Sequence, residues 1–243
     1  GIMAAWCLAV GAAALTGCGA KEADNKITVE SASEAPETKP IEIETEAPET
    51  EAPETEAADP DEQEPRVEKD GMIRSYLTGE MVPVSQGNRR PLAIMMSNDK
   101  AALPQYGINR AGVVYEAPVE ATMNRYLAVM EDYDDLTRIG SVRSCRTYYV
   151  YFAREFDAIY AHFGQSTFAK PYLKFVDNIN GIEGEGSTAY FRSKDKKSPH
   201  NAYASFGGIQ RAIEKLGYSQ EYDADYDGHF KFAKEGTQAV MHG

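Results

Sequence analysis

The chain has 243 residues and a formal net charge of −13, with 38 acidic against 25 basic side chains. The excess is confined to one stretch: 18 acidic and 5 basic residues lie between Lys21 and Asp70, so residues 71–243 carry 20 of each. A charge-balanced body with scattered arginines excludes nucleic-acid binding through a broad basic face, and only three cysteines (Cys7, Cys18 and Cys145) exclude a disulfide framework.

Ile2 to Leu15 is apolar, and no charge appears until Lys21. That length is too short to span a bilayer and fits the apolar region of a signal peptide, expected over 1–17 and truncated at its amino end. Leu15-Thr16-Gly17-Cys18 resembles the lipobox of bacterial lipoproteins. It implies lipidation of the Cys18 thiol, cleavage before it, and attachment to the membrane through acyl chains. The competing reading is an internal apolar helix with a chance cysteine. Residues 18–70 are rich in Glu, Pro, Thr and Ala, and Glu-Ala-Pro-Glu-Thr occurs at 34–38, 46–50 and 51–55. Such a segment buries too little apolar surface to offset the entropy of ordering, so it is expected to be a disordered, extended spacer.

Globular character begins near Met72, with a turn at Tyr76-Leu77-Thr78-Gly79. Leu92 to Met96 is a continuous apolar run ending at Ser97-Asn98-Asp99, the profile of a buried strand. Ala111 to Glu116 repeats it, and Thr122 to Met130 is a third strand. Residues 145, 148, 149, 152 and 156 recur at helical spacing, which predicts a helix over Cys145 to Phe156 with Ser144 as its N-cap. Ala158 to Phe163 is a further strand, followed by a short helix over Thr167 to Val176 and a strand and turn within Asn178 to Gly186. Phe206 to Leu216 reads as a helix stopped by Gly217, and His229 to Phe232 alternates like the opening of a strand. Strands alternating with helices give an α/β domain with a mixed sheet and flanking helices over 71–217, and residues 218–243 are expected to open a further, truncated domain.

Chemistry concentrates at Arg138-Ile139-Gly140-Ser141-Val142-Arg143-Ser144-Cys145-Arg146. Acidic residues are expected where a helix starts, because its N–H groups are unpaired and its dipole end is positive. Arg143 and Arg146 stand there instead, which suits a bound anion; pairing of both with the protein's own carboxylates is the alternative. Cys145 on the apolar stripe reads as a buried hydrophobe, with a reactive thiol as the other possibility.

Arg90-Pro91-Leu92-Ala93-Ile94-Met95, Val113-Val114-Tyr115-Glu116, Arg125-Tyr126-Leu127-Ala128, Ile139 to Arg146 and Ser198-Pro199-His200-Asn201-Ala202-Tyr203 follow one another in an order that resembles the YerB-like lipoproteins, the DUF3048 family. The match runs from about Leu77 to Tyr203. It implies an extracytoplasmic lipoprotein with an α/β amino-terminal domain and a further carboxy-terminal one, and carries no reaction. Cys145 stands where many members have Ala, which weakens a catalytic role for that thiol.

Carried over residue by residue, Asn98, Glu116, Arg125, Arg143, Ser144, Arg146, His162, His200 and Asn201 are the candidate ligand-binding residues. Several end strands, where ligands gather in open α/β sheets. A structural Glu116–Arg125 pair and a turn-capping Asn98 are the plainer alternatives. His162, His200, Ser144 and Glu116 are the candidate catalytic groups, but no Gly-x-Ser-x-Gly elbow accompanies Ser144. The four histidines are far apart without a paired spacing, so no metal is expected, and no nucleotide loop points to a cofactor. The combined expectation is a lipid-anchored protein on the extracytoplasmic face of a bacterial membrane, binding an anionic or carbohydrate-like envelope component through the Arg143–Arg146 helix start. An enzyme (hydrolase or transferase) on a cell-wall polymer and a docking module for another envelope protein are the alternatives.

Overall fold

The computed structural model describes residues 65–233; the signal peptide, Cys18 and nearly all of the spacer lie outside the described residues. Among the described residues the strands, in chain order, are β1 (Met72–Arg74), β2 (Met81–Pro83), β3 (Leu92–Ser97), β4 (Val113–Pro118), β5 (Asn124–Met130), β6 (Ile139–Gly140), β7 (Ile159–His162), β8 (Asn178–Asn180), β9 (Tyr190–Arg192) and β10 (Ala202–Ala204). Three α-helices accompany them: α1 (Val84–Gly87), α2 (Thr147–Glu155) and α3 (Phe206–Leu216). Among the described residues no helix is long and apolar enough to cross a membrane.

The central sheet has the order β4-β5-β3-β7-β8. β3 pairs antiparallel with β5 and parallel with β7, and β8 adds parallel to β7, so the sheet is mixed and the fold is α/β. Every residue of β3 is buried, because both faces of the sheet are covered. Leu92, Ile94 and Met96 point to the face packed by Ile209, Ala212 and Ile213 of α3. Ala93 and Met95 point to the other face, under Tyr149, Val150 and Ala153 of α2. Each of the leucine, isoleucine, valine and methionine side chains contributes about 1.5–3 kcal/mol by leaving water.

α3 is bounded as its sequence predicts. Ser205 accepts from Gly208 N, and Gly217 sits in the left-handed region at φ 69°, where a side chain would be strained. α2 starts two residues later than expected. Ser144 is not its cap: the Ser144 hydroxyl donates to Phe163 O at 3.2 Å, and Arg146 occupies the cap position with no side-chain capping bond. The expected helix over 167–176 is a 3-10 turn at Lys170–Phe175, and 229–232 form no strand. Residues 218–232 pack on the same core, with Phe230 against Phe156 and Arg90 N donating to Gln220 O. The hairpin of β1 and β2 and the small sheet β6-β10-β9 have no counterpart in the sequence reading.

Candidate functional site: a cationic cleft at the strand ends

The pairing of β3 with β7 runs from Leu92–Ile159 to Ile94–Ala161 and then stops. Beyond that point residues 141–145 enter between the parting strands. Ser97 N donates to Ser141 O and Arg143 N to Met95 O, each at 3.0 Å, while Phe163 N donates to Arg143 O at 2.9 Å and Cys145 N to Gly164 O at 2.8 Å. Gly140, at φ 130°, makes the turn that feeds this segment in, and a Cβ there would lie 2.6 Å from Val142 N. The arginine-bearing stretch is therefore an extended insertion held on both sides by backbone bonds. It lies at the carboxyl ends of parallel strands, the usual place for a ligand in an open α/β sheet.

A cleft of about 310 Å³ opens beside it, walled by Ser97, Asn98, Arg125, Arg143, Asp99 and His200, with Lys100 and Met123 at its edges. Arg125 is buried, opposite Ser97 in the register of β3 with β5. Its guanidinium donates to Ser144 O at 2.8 Å and lies 3.5 Å from Glu120 Oε2. Arg146 donates from Nε to Glu120 Oε1 at 2.6 Å and folds back onto Cys145 O at 2.7 Å. Arg143 donates to Pro199 O at 2.9 Å, and among the described residues no carboxylate lies within ion-pair distance of it. Two guanidinium groups thus share one carboxylate, and the third stands beside them without one. Burial, then the like charges of Arg146 and Arg143, push the Arg125 guanidinium down to about 10. Burial also lowers Arg143, with Arg146 opposing its charge and the Asp99 carboxylate supporting it.

The structure brings some of the predicted residues together and separates others. Asn98, Arg125, Arg143 and His200 line the cleft. His200 Nε2 stands 3.9 Å from Asp99 Oδ1, and its Nδ1 is buried without a partner among the described residues. Glu116 is held at the rim, where Asn98 and Asn124 each donate to its Oε1 at 2.9 Å, so Asn98 anchors a carboxylate. Glu116 does not pair with Arg125: in the β4–β5 register Arg125 opposes Ala117, and Glu116 opposes Tyr126. Ser144 contributes only its carbonyl, and Asn201 faces away, accepting from Arg192 Nη1 at 2.6 Å.

His162 lies outside the cleft. Its ring is fully buried, with Nδ1 2.8 Å from Gly164 O and Nε2 3.2 Å from Asn178 Oδ1. Burial holds it below the ordinary histidine range, and the two hydrogen bonds oppose that. Cys145 is also fully buried, which pushes its thiol up to about 11 and leaves it a packing residue. Sequence reasoning missed Asp99, Lys100 and above all Glu120. Ser97-Asn98-Asp99 at the end of an apolar run was a signal for the first; Glu120 carried none, since only the β4–β5 hairpin brings it to Arg146, 26 residues away.

Residues 77–219 match the family described as "Protein of unknown function (DUF3048) N-terminal domain". The chain belongs to the DUF3048 family. It is 35% identical over 155 residues to "Putative lipoprotein YerB" of Bacillus subtilis (strain 168), a match covering 63% of this chain and 46% of that protein. It is also similar to the crystal structure of the YerB protein from Bacillus subtilis, with a TM-score of 0.57 and 34% identity over 62% of this chain and 52% of that one. The DUF3048 chain described here thus spans about half the length of these relatives. The cleft falls inside the matched region, from Ser97 to His200.

Proposed function

We propose that the chain is a lipid-anchored protein of the extracytoplasmic bacterial envelope, attached through Cys18, whose α/β domain binds an anionic envelope component in the Arg125–Arg143 cleft. One observation carries this reading: Arg125 and Arg146 share the single carboxylate of Glu120, and Arg143 stands beside them in an open cleft with, among the described residues, no carboxylate in ion-pair range. Guanidinium groups this close repel one another, and an anion between them offsets that repulsion where solvent screening is weak. The anchor rests on the lipobox and on likeness to a protein with "lipoprotein" in its printed name.

Titration calorimetry of the non-acylated chain with soluble anionic wall fragments tests the binding. Arg143→Ala, folded by circular dichroism, should lower affinity by about tenfold, the loss expected for one charge-assisted contact. Affinity unchanged by this substitution would refute the assignment. Metabolic labelling with palmitate should mark the parent chain and not Cys18→Ala.

A second reading, turnover of the bound polymer, is favoured by His200 and Asp99 standing together in the cleft. A hydrolase or transferase using His200 as acid and base would lose turnover in His200→Ala while still binding fragments. Product release unaffected by that change would eliminate it.

A further inference from the structure

The charge and the layout of the cleft narrow the class of anion. Of the side chains lining the cleft, Arg125, Arg143 and Lys100 supply three positive charges and Asp99 returns one negative one, while Arg146 and Glu120 stand outside the lining and pair with each other. Glu116, which accepts from Asn98 and Asn124, is not among the lining side chains. The uncompensated charge is therefore two. A lone carboxylate or a phosphodiester brings one negative charge and leaves one guanidinium unpaired, whereas a phosphomonoester brings about −1.5 to −2 near neutral pH.

Direction agrees with charge. The donors approach from separate elements: Arg125 from the start of β5, Arg143 from the inserted strand, Lys100 from the turn after β3, and His200 from the loop before β10. A planar carboxylate is satisfied by one guanidinium fork in its own plane; donors arriving from several sides suit a tetrahedral group with three terminal oxygens. Two further features describe what the phosphate is attached to. Asp99 accepts from Ala101 N through Oδ1 at 2.7 Å, and among the described residues no hydrogen bond is made to its Oδ2. An ionised carboxylate accepts only, so a neighbour of the phosphate should carry hydroxyl donors. The 310 Å³ space lies at the lower end of small-ligand sites (about 300–1,000 Å³), which limits the occupant to one short unit.

We infer that the cleft is a site for a phosphomonoester carried on a short polyol, with Arg125 and Arg143 on the phosphate and Asp99 on an adjacent hydroxyl. This rests on the anion-binding reading above and names its ligand class. The phosphate can be that of a free polyol phosphate or of a lipid headgroup, and the chemistry in the cleft is the same.

The experiment is a titration of the non-acylated full chain at pH 7.5 with glycerol 3-phosphate, glycerophosphoglycerol and N-acetylmuramic acid, which present a monoester, a diester and a carboxylate. Glycerol 3-phosphate should bind about tenfold or more tighter than the other two. Lys100→Ala and Arg143→Ala should each lower that affinity several-fold, and Lys174→Ala, near the opposite ends of the strands, should not. Lys100 is exposed, so its variant tests the site even if Arg143→Ala fails to fold. Vesicles containing phosphatidic acid form a separate arm: binding to them and not to glycerol 3-phosphate assigns the monoester to a lipid, and equal binding to phosphatidylglycerol vesicles overturns the proposal. Preference for N-acetylmuramic acid overturns the ligand class and leaves the anion cleft standing. No binding by any of the probes overturns both.

Discussion

Glu120→Gln should lower stability and raise anion affinity together. Glu120 is the one carboxylate that pairs with both Arg125 and Arg146, and its side chain is 54% exposed while that of Arg125 is 7% exposed. Leaving a buried charge unpaired costs about 3–5 kcal/mol, and an exposed pair contributes about 0–1 kcal/mol. This pair has one end in each setting, and the Arg125 contact is long at 3.5 Å, so the loss is about 1–2 kcal/mol. For a domain of this size that is a fall in Tm of roughly 2–8 °C. The substitution also removes the group that competes with an incoming anion, so phosphate at tens of millimolar should raise the Tm of Glu120→Gln more than that of the parent chain. Burial disfavours the ionised Glu120, but the hydrogen bond from Arg146, a backbone hydrogen bond and the charges of Arg146 and Arg125 together outweigh it and hold the carboxyl below its ordinary 4.5. A depressed folded pKa contributes stability above the unfolded value that is lost as pH falls, so the gap between the two chains should close on acidification below about 4.5. Thermal melts at several pH values, with and without phosphate, measure all three effects. Equal melting of the two chains, or an equal shift of both by phosphate, would refute the idea that the guanidinium groups lack negative charge.

Glu131 is buried and accepts from Ser75 Oγ at 2.7 Å, and burial raises its carboxyl above 4.5 against the Ser75 bond and two arginines. Its folded pKa being raised, the ionised group loses stability as pH rises above the unfolded value, so Glu131→Gln should gain stability relative to the parent as pH rises above about 4.5; a difference independent of pH counts against this. His162→Ala should cost about 2–4 kcal/mol in urea unfolding, since it empties a buried site and removes a ring partner of Asn178 Oδ1, while anion affinity stays unchanged; a loss of affinity in the folded variant would return His162 to the site. Cys145 should resist alkylation at pH 8 in the native chain and react once urea unfolds it, followed by mass of the modified peptide; rapid native labelling would contradict its burial.

The elements legible from sequence are those whose cause is local. α3 was bounded by a serine cap, a helical stripe and a glycine, and all three act within its own residues. β3 was visible because burial on both faces demands an unbroken apolar run. The start of α2 was misplaced because Ser144 has the propensity of a cap, and a longer-range pairing overrides it: Cys145 bridges Gln165, with Cys145 N donating to Gly164 O and Ser166 N to Cys145 O. Both arginines were therefore expected on a helix dipole, and only Arg146 stands at the helix end; Arg143 is fixed by β3 and by Phe163 N.

That correction changes the physics of the site more than its membership. An arginine at a helix start is opposed by partial charges of about half a unit, screened within a turn. An arginine on an extended insertion, with Arg146 close enough to oppose its charge and with both close enough to oppose that of Arg125, is opposed by whole charges in a half-buried setting. The second arrangement exerts the stronger pull on an anion, and it also explains why Glu120 alone does not discharge it. One carboxylate, half in water and 3.5 Å from the buried guanidinium, balances one arginine out of three. The sequence could disclose the arginines but not that ratio, because the ratio is set by which carboxylates the β4–β5 hairpin carries to them and which it turns away: Glu120 arrives, and Glu116, on the outward face of β4, does not.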